Sequence, residues 1–214
     1  MEIKYLGHAS FLIKTKTAKV VTDPYDSSIG LKFPKVEADV VTLSHHHYDH
    51  DRANLVDGNF IVFDMPGEYE RLGVKISGFS SYHDKSKGKE RGENILFKIE
   101  SEGMSLLHCG DLGDVPNDDF LEEVGDIDVL LVPVGGFYTI GPDEAVELIK
   151  KIEPSIVIPM HFNHPKLKQE NFGRLFPLDD FLKKVGGQNE APIPKLLIKK
   201  EELQEEMKVI VLSF

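Results

Sequence analysis

Four histidines and an aspartate lie within six positions of the sequence, His45-His46-His47-Tyr48-Asp49-His50. They follow an apolar run, residues 40–43, that is typical of the end of a buried strand. If the backbone stays extended here, His45 and His47 point to one side, so that two imidazoles face one ion. Asp49 and His50 follow closely enough to bind a second ion. Nitrogen and carboxylate ligands at this spacing predict a two-metal site that suits a borderline cation such as zinc.

A histidine-rich surface turn is the alternative explanation, because short histidine tracts bind metal ions without having a function. A solvated turn, however, gives no reason for an apolar strand to lead directly into the histidines. The sequence therefore favours a metal site at a strand end.

The stretch 45–50 resembles the signature of the metallo-β-lactamase fold superfamily, which consists of metal-dependent hydrolases. Further segments resemble one branch, the small proteins related to L-ascorbate-6-phosphate lactonase and N-acyl-phosphatidylethanolamine phospholipase D. These segments are Gly7-His8-Ala9-Ser10-Phe11, Asp23-Pro24, Pro66-Gly67-Glu68-Tyr69, His83-Asp84, Arg91-Gly92, Gly110-Asp111, Pro133-Val134-Gly135-Gly136 and Pro159-Met160-His161. The resemblance covers residues 3 to about 165. It implies an α+β fold, a four-layered αββα sandwich with one or two metal ions at its edge.

The resemblance also implies where further metal ligands lie. It places a ligand histidine ahead of Arg91-Gly92, which favours His83 as the third ligand of the first metal. It places a bridging aspartate after Gly110, which makes Asp111 the carboxylate between both ions. His108 competes with His83, but it lies on a predicted strand and could instead be a buried, hydrogen-bonded residue.

Two later apolar runs, 128–136 and 155–161, repeat the pattern that precedes the histidine motif, because each ends in an irregular polar turn. We expect the three strands to converge on one edge of the fold. His161, at the end of the last run, would then complete the second metal site with Asp49 and His50. The predicted metal ligands are His45, His47, Asp49, His50, His83, Asp111 and His161.

Four other residues are candidates for substrate contact or for support of the ligands. The resemblance implies that Asp23 orients a ligand histidine from behind, and the alternative is an Asp-Pro turn. It places His8 on the rim of the metal pocket, where the side chain either touches substrate or only packs. Gly136 and Tyr138 could place a backbone donor and a phenol over the site, and a tight turn is their alternative.

Two divalent ions about 3.5–4 Å apart can hold a hydroxide between them at neutral pH. We expect this hydroxide to attack an ester, lactone or phosphodiester, with Asp49 or His161 passing a proton to the leaving group. The expected cofactor is Zn²⁺ or Mn²⁺, with two ions per chain. One alternative is a metal-dependent redox enzyme, such as a persulfide dioxygenase or a diiron flavoprotein of the same fold. The flavoproteins typically have an acid at the position of His47.

A second alternative is a non-catalytic metal-binding protein, which predicts a closed site without exchangeable water.

The loop after His83 carries Lys85, Lys87, Lys89 and Arg91 at alternate positions. If the loop is extended, these cations share one face near the pocket and predict a small, anionic substrate. Arginine offers a planar fork for phosphate or carboxylate, whereas the lysines act as point charges. The alternative is that all four residues only keep a flexible turn soluble.

Composition limits the classes of partner. A length of 214 residues, with 41% hydrophobic and 29% charged residues, predicts a single hydrolase domain over 1–214. A net charge of −11 repels polyanions, so we expect no nucleic-acid partner. No apolar run is long enough to span a bilayer. With one cysteine and no secretory signal, we read Met1 as the natural start and expect a cytoplasmic protein whose oligomeric state stays open.

Periodicity places the main elements. Hairpin strands are predicted over 3–23, and short strands follow at a spacing that favours a β-sandwich. A helix is expected to begin near Pro142, with acids at its positive end, and to stop before Pro154. A second helix is predicted over 178–185, before the Gly186-Gly187 pair, in the segment 163–194, which could cover the pocket. A C-terminal strand is predicted over 208–213.

Overall fold

The structure is a computed structural model that describes residues 1–186 and 191–214. In chain order the strands are β1 (Glu2–Gly7), β2 (Ser10–Lys14), β3 (Lys19–Thr22), β4 (Val40–Thr42), β5 (Ile61–Phe63), β6 (Gly67–Arg71), β7 (Val74–Tyr82), β8 (Glu93–Ser101), β9 (Met104–His108), β10 (Val129–Pro133), β11 (Ile156–Met160), β12 (Leu196–Leu197) and β13 (Lys208–Val209). The α-helices are α1 (Asp118–Val124), α2 (Pro142–Ile152), α3 (Gln169–Phe172) and α4 (Leu178–Val185). Turns of 3₁₀-helix lie at Ser27–Ile29, Ala53–Leu55 and Lys200–Glu202.

The strands form two mixed sheets. The first has the order β12-β1-β2-β3-β4-β5, and the second has the order β13-β11-β10-β9-β8-β7-β6. In the first sheet β3, β4 and β5 are parallel, and in the second β9, β10, β11 and β13 are parallel. One apolar core joins the sheets, with Phe11 and Ile13 from the first and Phe97 and Leu106 from the second. The predicted α+β sandwich is confirmed.

Helices and turns cover the outer faces of both sheets. Ala145 and Leu148 of α2 and Phe181 of α4 join the same core as the strands of the second sheet. On the outer face of the first sheet, Ile29 and Phe172 belong to a second apolar cluster. That outer layer is thin, because it consists of 3₁₀ turns and the four-residue α3. The order of layers is nevertheless the predicted αββα.

The two predicted helices are confirmed. Helix α2 begins at Pro142, which cannot donate a backbone hydrogen bond and loses nothing at a first turn. Its acids Asp143 and Glu144 lie at the positive end of the helix dipole. Helix α4 spans the predicted 178–185, and Gly187 lies outside the described residues.

One strand prediction is wrong in detail. The C-terminal strand is limited to Lys208–Val209, and Leu212 forms an isolated bridge with Ile193. The three strands expected to converge on one edge of the fold do so from both sheets, since β4 belongs to the first and β10 and β11 to the second. Among the helices described, none has the length and apolar character needed to cross a membrane.

Candidate metal centre

The candidate ligands follow the carboxyl ends of strands from both sheets. The histidine motif follows β4, His83 follows β7, Asp111 follows β9 and His161 follows β11. Strands β7, β9 and β11 run in the same direction in the second sheet, so their carboxyl ends meet at one edge. Strand β4 brings the motif to this edge from the opposing sheet. The centre therefore lies where the sheets meet, and each sheet supplies part of it.

His45, His47 and His83 form the first ligand group. Each offers a ring nitrogen, and these atoms lie within 4.8 Å of one another. His46 points away, with 64% of its side chain exposed, and its Nε2 lies 3.7 Å from Asp64. The predicted orientation of the motif is thus present, although the backbone has left β4 before His45.

His8, Asp49, His50 and His161 form the second ligand group, again with ligand atoms within 4.8 Å of one another. The sequence predicts three of these residues as ligands and places His8 on the rim. In the structure His8 is 2% exposed, and its Nε2 lies 3.2 Å from Oδ2 of Asp49. Its ring centroid lies 4.3 Å from that of His161. His8 is therefore part of the group rather than of its rim.

Asp111 lies between the two groups. Its Oδ2 is 3.3 Å from Nε2 of His83 and 3.2 Å from Nε2 of His161. Its Oδ1 is 3.3 Å from Nε2 of His50. One carboxylate thus faces a member of the first group and two members of the second, as a bridging ligand must.

Asn94 and Gly110 hold Asp111 in this position. Asn94 accepts a hydrogen bond from the Asp111 amide at 2.9 Å and donates to the carbonyl of Cys109 at 3.0 Å. Gly110 has φ 53°, and a Cβ there would lie 2.5 Å from Cβ of Ser44 and would also collide with Asn94. Only glycine fits this turn without displacing its neighbours.

Asp23 supports histidines of both groups, as the resemblance implies. Its Oδ2 accepts a hydrogen bond from Nδ1 of His50 at 3.0 Å and from Oγ of Ser44 at 2.5 Å. Ser44 Oγ in turn lies 2.9 Å from Nδ1 of His45. Because the Ser44 hydroxyl donates to Asp23, Nδ1 of His45 donates to Ser44. This network fixes the tautomers and leaves Nε2 of both histidines free to bind metal.

The donor set fits divalent metal ions. Several buried atoms of these groups have no hydrogen-bond partner among the described residues, and burial of such atoms is costly unless something else binds them. They include Nε2 of His45, Nε2 of His50 and Oδ1 of Asp111. Imidazole nitrogen with carboxylate oxygen is the ligand chemistry of zinc and similar cations.

Electrostatics keep His45, His47 and Asp111 in their metal-binding forms, whereas the carboxylates of Asp111 and Asp49 raise the pKa of the buried His50 well above its usual value. Burial lowers the pKa of His45 well below its usual value and also lowers the pKa of His47, so both rings stay neutral. Burial opposes ionisation of Asp111, but the charges and hydrogen bonds of His161 and His50 hold its pKa well below the usual range. The carboxylate between the two groups is therefore ionised.

His108 occupies the buried position that was its alternative. Its side chain is fully buried on β9, and Nε2 donates to the carbonyl of Ala9 at 2.7 Å. The ring packs edge-on against Phe11 at 6.1 Å between centroids. Among the described residues, His108 belongs to neither ligand group.

The cationic loop is curled, so the expectation of an extended loop is wrong. The carboxylate of Asp84 accepts four backbone N–H groups, from Ser86, Gly88, Glu90 and Arg91, at 2.7 to 3.0 Å. Four such bonds close the loop into a tight turn and prevent the alternation of side chains that a strand would give. The four cations therefore do not share one face, although Lys85 and Arg91 line the same cleft.

Arg91 nevertheless lies beside the metal centre. Together with His83, Gly136 and Tyr138 it lines a cleft of about 390 Å³. The Tyr138 hydroxyl donates to the carbonyl of Asn171 at 3.0 Å, so it does not stand free over the ligands. A larger depression, of about 790 Å³, lies against β7, β8 and α1 and contains none of the predicted ligands.

Sequence reasoning missed two supporting residues, Ser44 and Asn94. Ser44 directly precedes the histidine motif, and a hydroxyl next to a ligand was a usable signal. Asn94 lies on β8, 17 positions before Asp111, and nothing local in the sequence connects the two.

The comparisons with known proteins agree with this geometry. A model of the beta-lactamase superfamily domain matches residues 2–161. The chain belongs to this superfamily, and it is a metal-dependent hydrolase.

Two relatives are similar over most of their length. A UPF0173 metal-dependent hydrolase of Thermococcus kodakarensis is 32% identical over 82% of this chain and 92% of its own length. A Thermotoga maritima protein, described as a candidate Zn-dependent hydrolase of the metallo-β-lactamase superfamily, has a crystal structure that superimposes with a TM-score of 0.80. It is 41% identical, over 99% of this chain and 97% of its own.

A more distant structure shares only the fold. CmlA of Streptomyces venezuelae, a diiron β-hydroxylase, superimposes with a TM-score of 0.64 at 12% identity, over 92% of this chain and 54% of its own.

Proposed function

We propose that this chain hydrolyses an ester, lactone or phosphodiester bond with two divalent ions held by its two ligand groups. The observation that carries the proposal is Asp111, whose carboxylate lies within 3.3 Å of histidines from both groups. A structural metal site needs one closed set of ligands, whereas a shared carboxylate is what a pair of ions requires.

Each candidate residue has a separate role in this proposal. His45, His47 and His83 would hold the first ion, and Asp49, His50 and His161 the second. When bound, the ions supply an activated water and polarise the attacked carbonyl or phosphoryl group. Asp49 or His161 would take up the proton that the activated water releases and pass it to the leaving oxygen.

His8 is a positioning residue in this proposal. Its Nε2–H donates to Oδ2 of Asp49 at 3.2 Å, which fixes the orientation of that carboxylate. The backbone of His8 is itself anchored, because its carbonyl accepts hydrogen bonds from Tyr5 Oη at 2.6 Å and from the His161 amide at 2.8 Å.

Elemental analysis of protein prepared without chelators tests the metal part of the proposal. We expect about two equivalents of Zn²⁺ or Mn²⁺ per chain, in agreement with the two ligand groups. Metal content that is unchanged in a His45→Ala/Asp111→Ala double variant would refute it.

A substrate screen tests the reaction. Protein reconstituted with Zn²⁺ or Mn²⁺ is assayed on phosphodiesters, lactones and thioesters, with oxygen uptake on glutathione persulfide in parallel. We expect hydrolysis without oxygen uptake, and iron-dependent oxygen consumption without hydrolysis would instead establish the redox alternative.

We further propose that the substrate is small and anionic, that one domain over 1–214 performs the reaction and that it works in the cytoplasm. Arg91 supports the first point, since it lines the cleft beside His83. Among the described residues, the carboxylate within 4 Å of its guanidinium is that of Glu90, at 3.8 Å. This separation is too long for a hydrogen bond and leaves the guanidinium fork available to a substrate anion.

A further inference from the structure

We infer that the cleft beside His83 binds a planar aromatic group of the substrate that carries or adjoins a negative charge. The residues that line this cleft include His83, Arg91, Gly136, Phe137, Tyr138 and Phe176, and we call it the Phe137 cleft. The inference rests on the proposed function, and it names the class of compound on which the centre acts.

Exposed aromatic rings gather at this cleft. Phe137 is 37% exposed and Phe176 is 48% exposed, and both line the cleft. Tyr48, in the histidine motif, is 41% exposed and lies outside the cleft lining. Its hydroxyl lies 3.4 Å from Nδ2 of Asn171, the residue whose carbonyl accepts the Tyr138 hydroxyl. Single exposed apolar residues are ordinary, but aromatic rings concentrated beside a metal centre indicate a binding surface.

The ring of Phe137 is held in place before any ligand binds. Its backbone has φ 53°, a left-handed conformation that a residue with a bulky side chain rarely adopts. The guanidinium of Arg174 lies 3.6 Å from the ring centroid. Tyr138 packs edge-on at 4.6 Å between centroids, with 71° between the planes. A fixed ring loses little conformational freedom when a second ring stacks on it.

Gly136 lets Phe176 lie close to the same turn. Gly136 has φ 63°, and a Cβ there would lie 2.8 Å from Cδ2 of Phe176. Any larger residue would displace the phenyl ring of Phe176. The turn 135–138 therefore forms an aromatic wall in addition to a tight bend.

The charge of the cleft is carried by Arg91. Asp84, Glu90 and Glu144 also line the cleft, but Asp84 is saturated by four backbone N–H groups. Glu90 accepts a hydrogen bond from the Ser86 hydroxyl at 2.8 Å, and its other oxygen lies 3.8 Å from Arg91. Glu144 pairs with Lys85 and accepts the Gly141 amide. Arg91 lies 6.0 Å from the Tyr138 ring centroid, so the cation and the aromatic wall are adjacent.

The position of His83 indicates which part of the substrate occupies the cleft. It belongs both to the cleft wall and to the first ligand group, so a group in the cleft is attached close to the bond that is cleaved. An aliphatic, uncharged group would leave both the stacking surface and the guanidinium unused. The cleft therefore favours aryl or heteroaryl esters and phosphodiesters with an acidic group on or beside the ring.

Binding calorimetry on the Zn²⁺-loaded protein tests the inference without requiring turnover. The probe is 2-naphthalenesulfonate, whose sulfonate is a weak metal ligand. Cyclohexanesulfonate keeps the charge and lacks the ring, and 2-naphthalenemethanol keeps the ring and lacks the charge. We expect 2-naphthalenesulfonate to bind about five- to tenfold more tightly than either.

Variants locate the binding. Phe137→Leu should lower the affinity for 2-naphthalenesulfonate about fivefold and leave that for cyclohexanesulfonate unchanged. Arg91→Gln should lower the affinity for 2-naphthalenesulfonate and leave the affinity for the uncharged 2-naphthalenemethanol unchanged. Lys89→Gln is the matched control, because it removes a cation from the same loop at an exposed position outside the cleft wall and should change nothing. Phe176→Leu replaces Phe137→Leu if that variant loses its metal.

Equal affinity for the three probes, absence of binding, or indifference to both phenylalanine substitutions would overturn the inference. The binding experiment and the hydrolysis screen can fail independently of each other. Selective binding with no turnover of any ester would leave the cleft established and refute the proposed reaction, whereas turnover without aromatic preference would do the opposite.

Discussion

Asp23 connects the two ligand groups at the scale of single residues. Its carboxylate is fully buried and reaches His50 directly and His45 through the Ser44 hydroxyl. A carboxylate behind a ligand histidine orients the ring and makes the metal-binding nitrogen more basic. The strength of both sites should therefore depend on a residue that binds neither ion.

Asp23→Asn should weaken metal binding about 10- to 100-fold, because the neutral amide is a poorer acceptor for His50 and Ser44. Competition with a chromogenic chelator measures the affinity. Asp128→Asn is the control, since Asp128 accepts backbone and hydroxyl hydrogen bonds from Ser105 outside the centre. Equal effects of the two substitutions would show that Asp23 acts only through stability.

His83 and His108 should differ in what each substitution damages. His83→Ala removes a nitrogen of the first ligand group and should lower metal content with little effect on metal-free stability. His108→Ala leaves the Ala9 carbonyl without its donor and should cost about 1–3 kcal/mol of unfolding free energy with metal content unchanged. Elemental analysis measures the metal content, and urea unfolding of the metal-free proteins measures the stability. Loss of metal in His108→Ala and not in His83→Ala would make His108 the ligand.

At the scale of elements, the turns that follow the strands decide whether the ligands meet. Strand β9 delivers Asp111 only because Gly110 allows a left-handed turn against Ser44 and Asn94. A similar close approach occurs after β10, where Gly135 leaves no space for a Cβ beside the His161 carbonyl. Such turns convert parallel strands into a convergent set of side chains.

Gly110→Ala should therefore destabilise the protein by several kcal/mol and displace Asp111, because both strain and collision act at this position. Gly103→Ala is the matched control, since Gly103 also has a positive φ, 73°, but a Cβ there meets nothing within 4 Å. It should cost about 1–2 kcal/mol and leave metal content intact. Thermal unfolding and elemental analysis of the two variants measure their stability and metal content. If both variants lose the same stability, the effect at Gly110 is due to backbone strain alone.

At the scale of the whole molecule, the centre joins the two sheets, and metal binding should therefore stabilise the global fold. Removal of metal leaves buried nitrogen and carboxylate atoms between the sheets that have no hydrogen-bond partner within residues 1–186 and 191–214. It also leaves the carboxylate of Asp111 facing histidines of both ligand groups without an ion between them.

Each site that binds only the folded chain adds about 2.7 kcal/mol when free metal is one hundred times its Kd. Treatment with a chelator should lower the Tm, and readdition of Zn²⁺ should restore it in proportion to free metal. The His45→Ala/Asp111→Ala variant should show no such dependence. A Tm of the natural chain that is independent of metal would mean that the centre does not connect the sheets.

The sequence alone determined the ligand motif, both core helices and the sandwich, because these depend on neighbouring residues. Alternation places His45 and His47 together within three positions, and the proline and acids that begin α2 lie within its first turn. Sequence resemblance added His83, Asp111 and Asp23, which no local pattern connects to the motif.

Only the tertiary structure decided how these parts meet. The bond between Asp23 and His50 spans 27 positions, and that between His8 and Asp49 spans 41. The inclusion of His8 in the second group and the relay through Ser44 follow from the packing of the two sheets. The loop after His83 is curled because Asp84 gathers four backbone N–H groups, and a single buried carboxylate thereby overrides the alternation of lysines that the sequence displays.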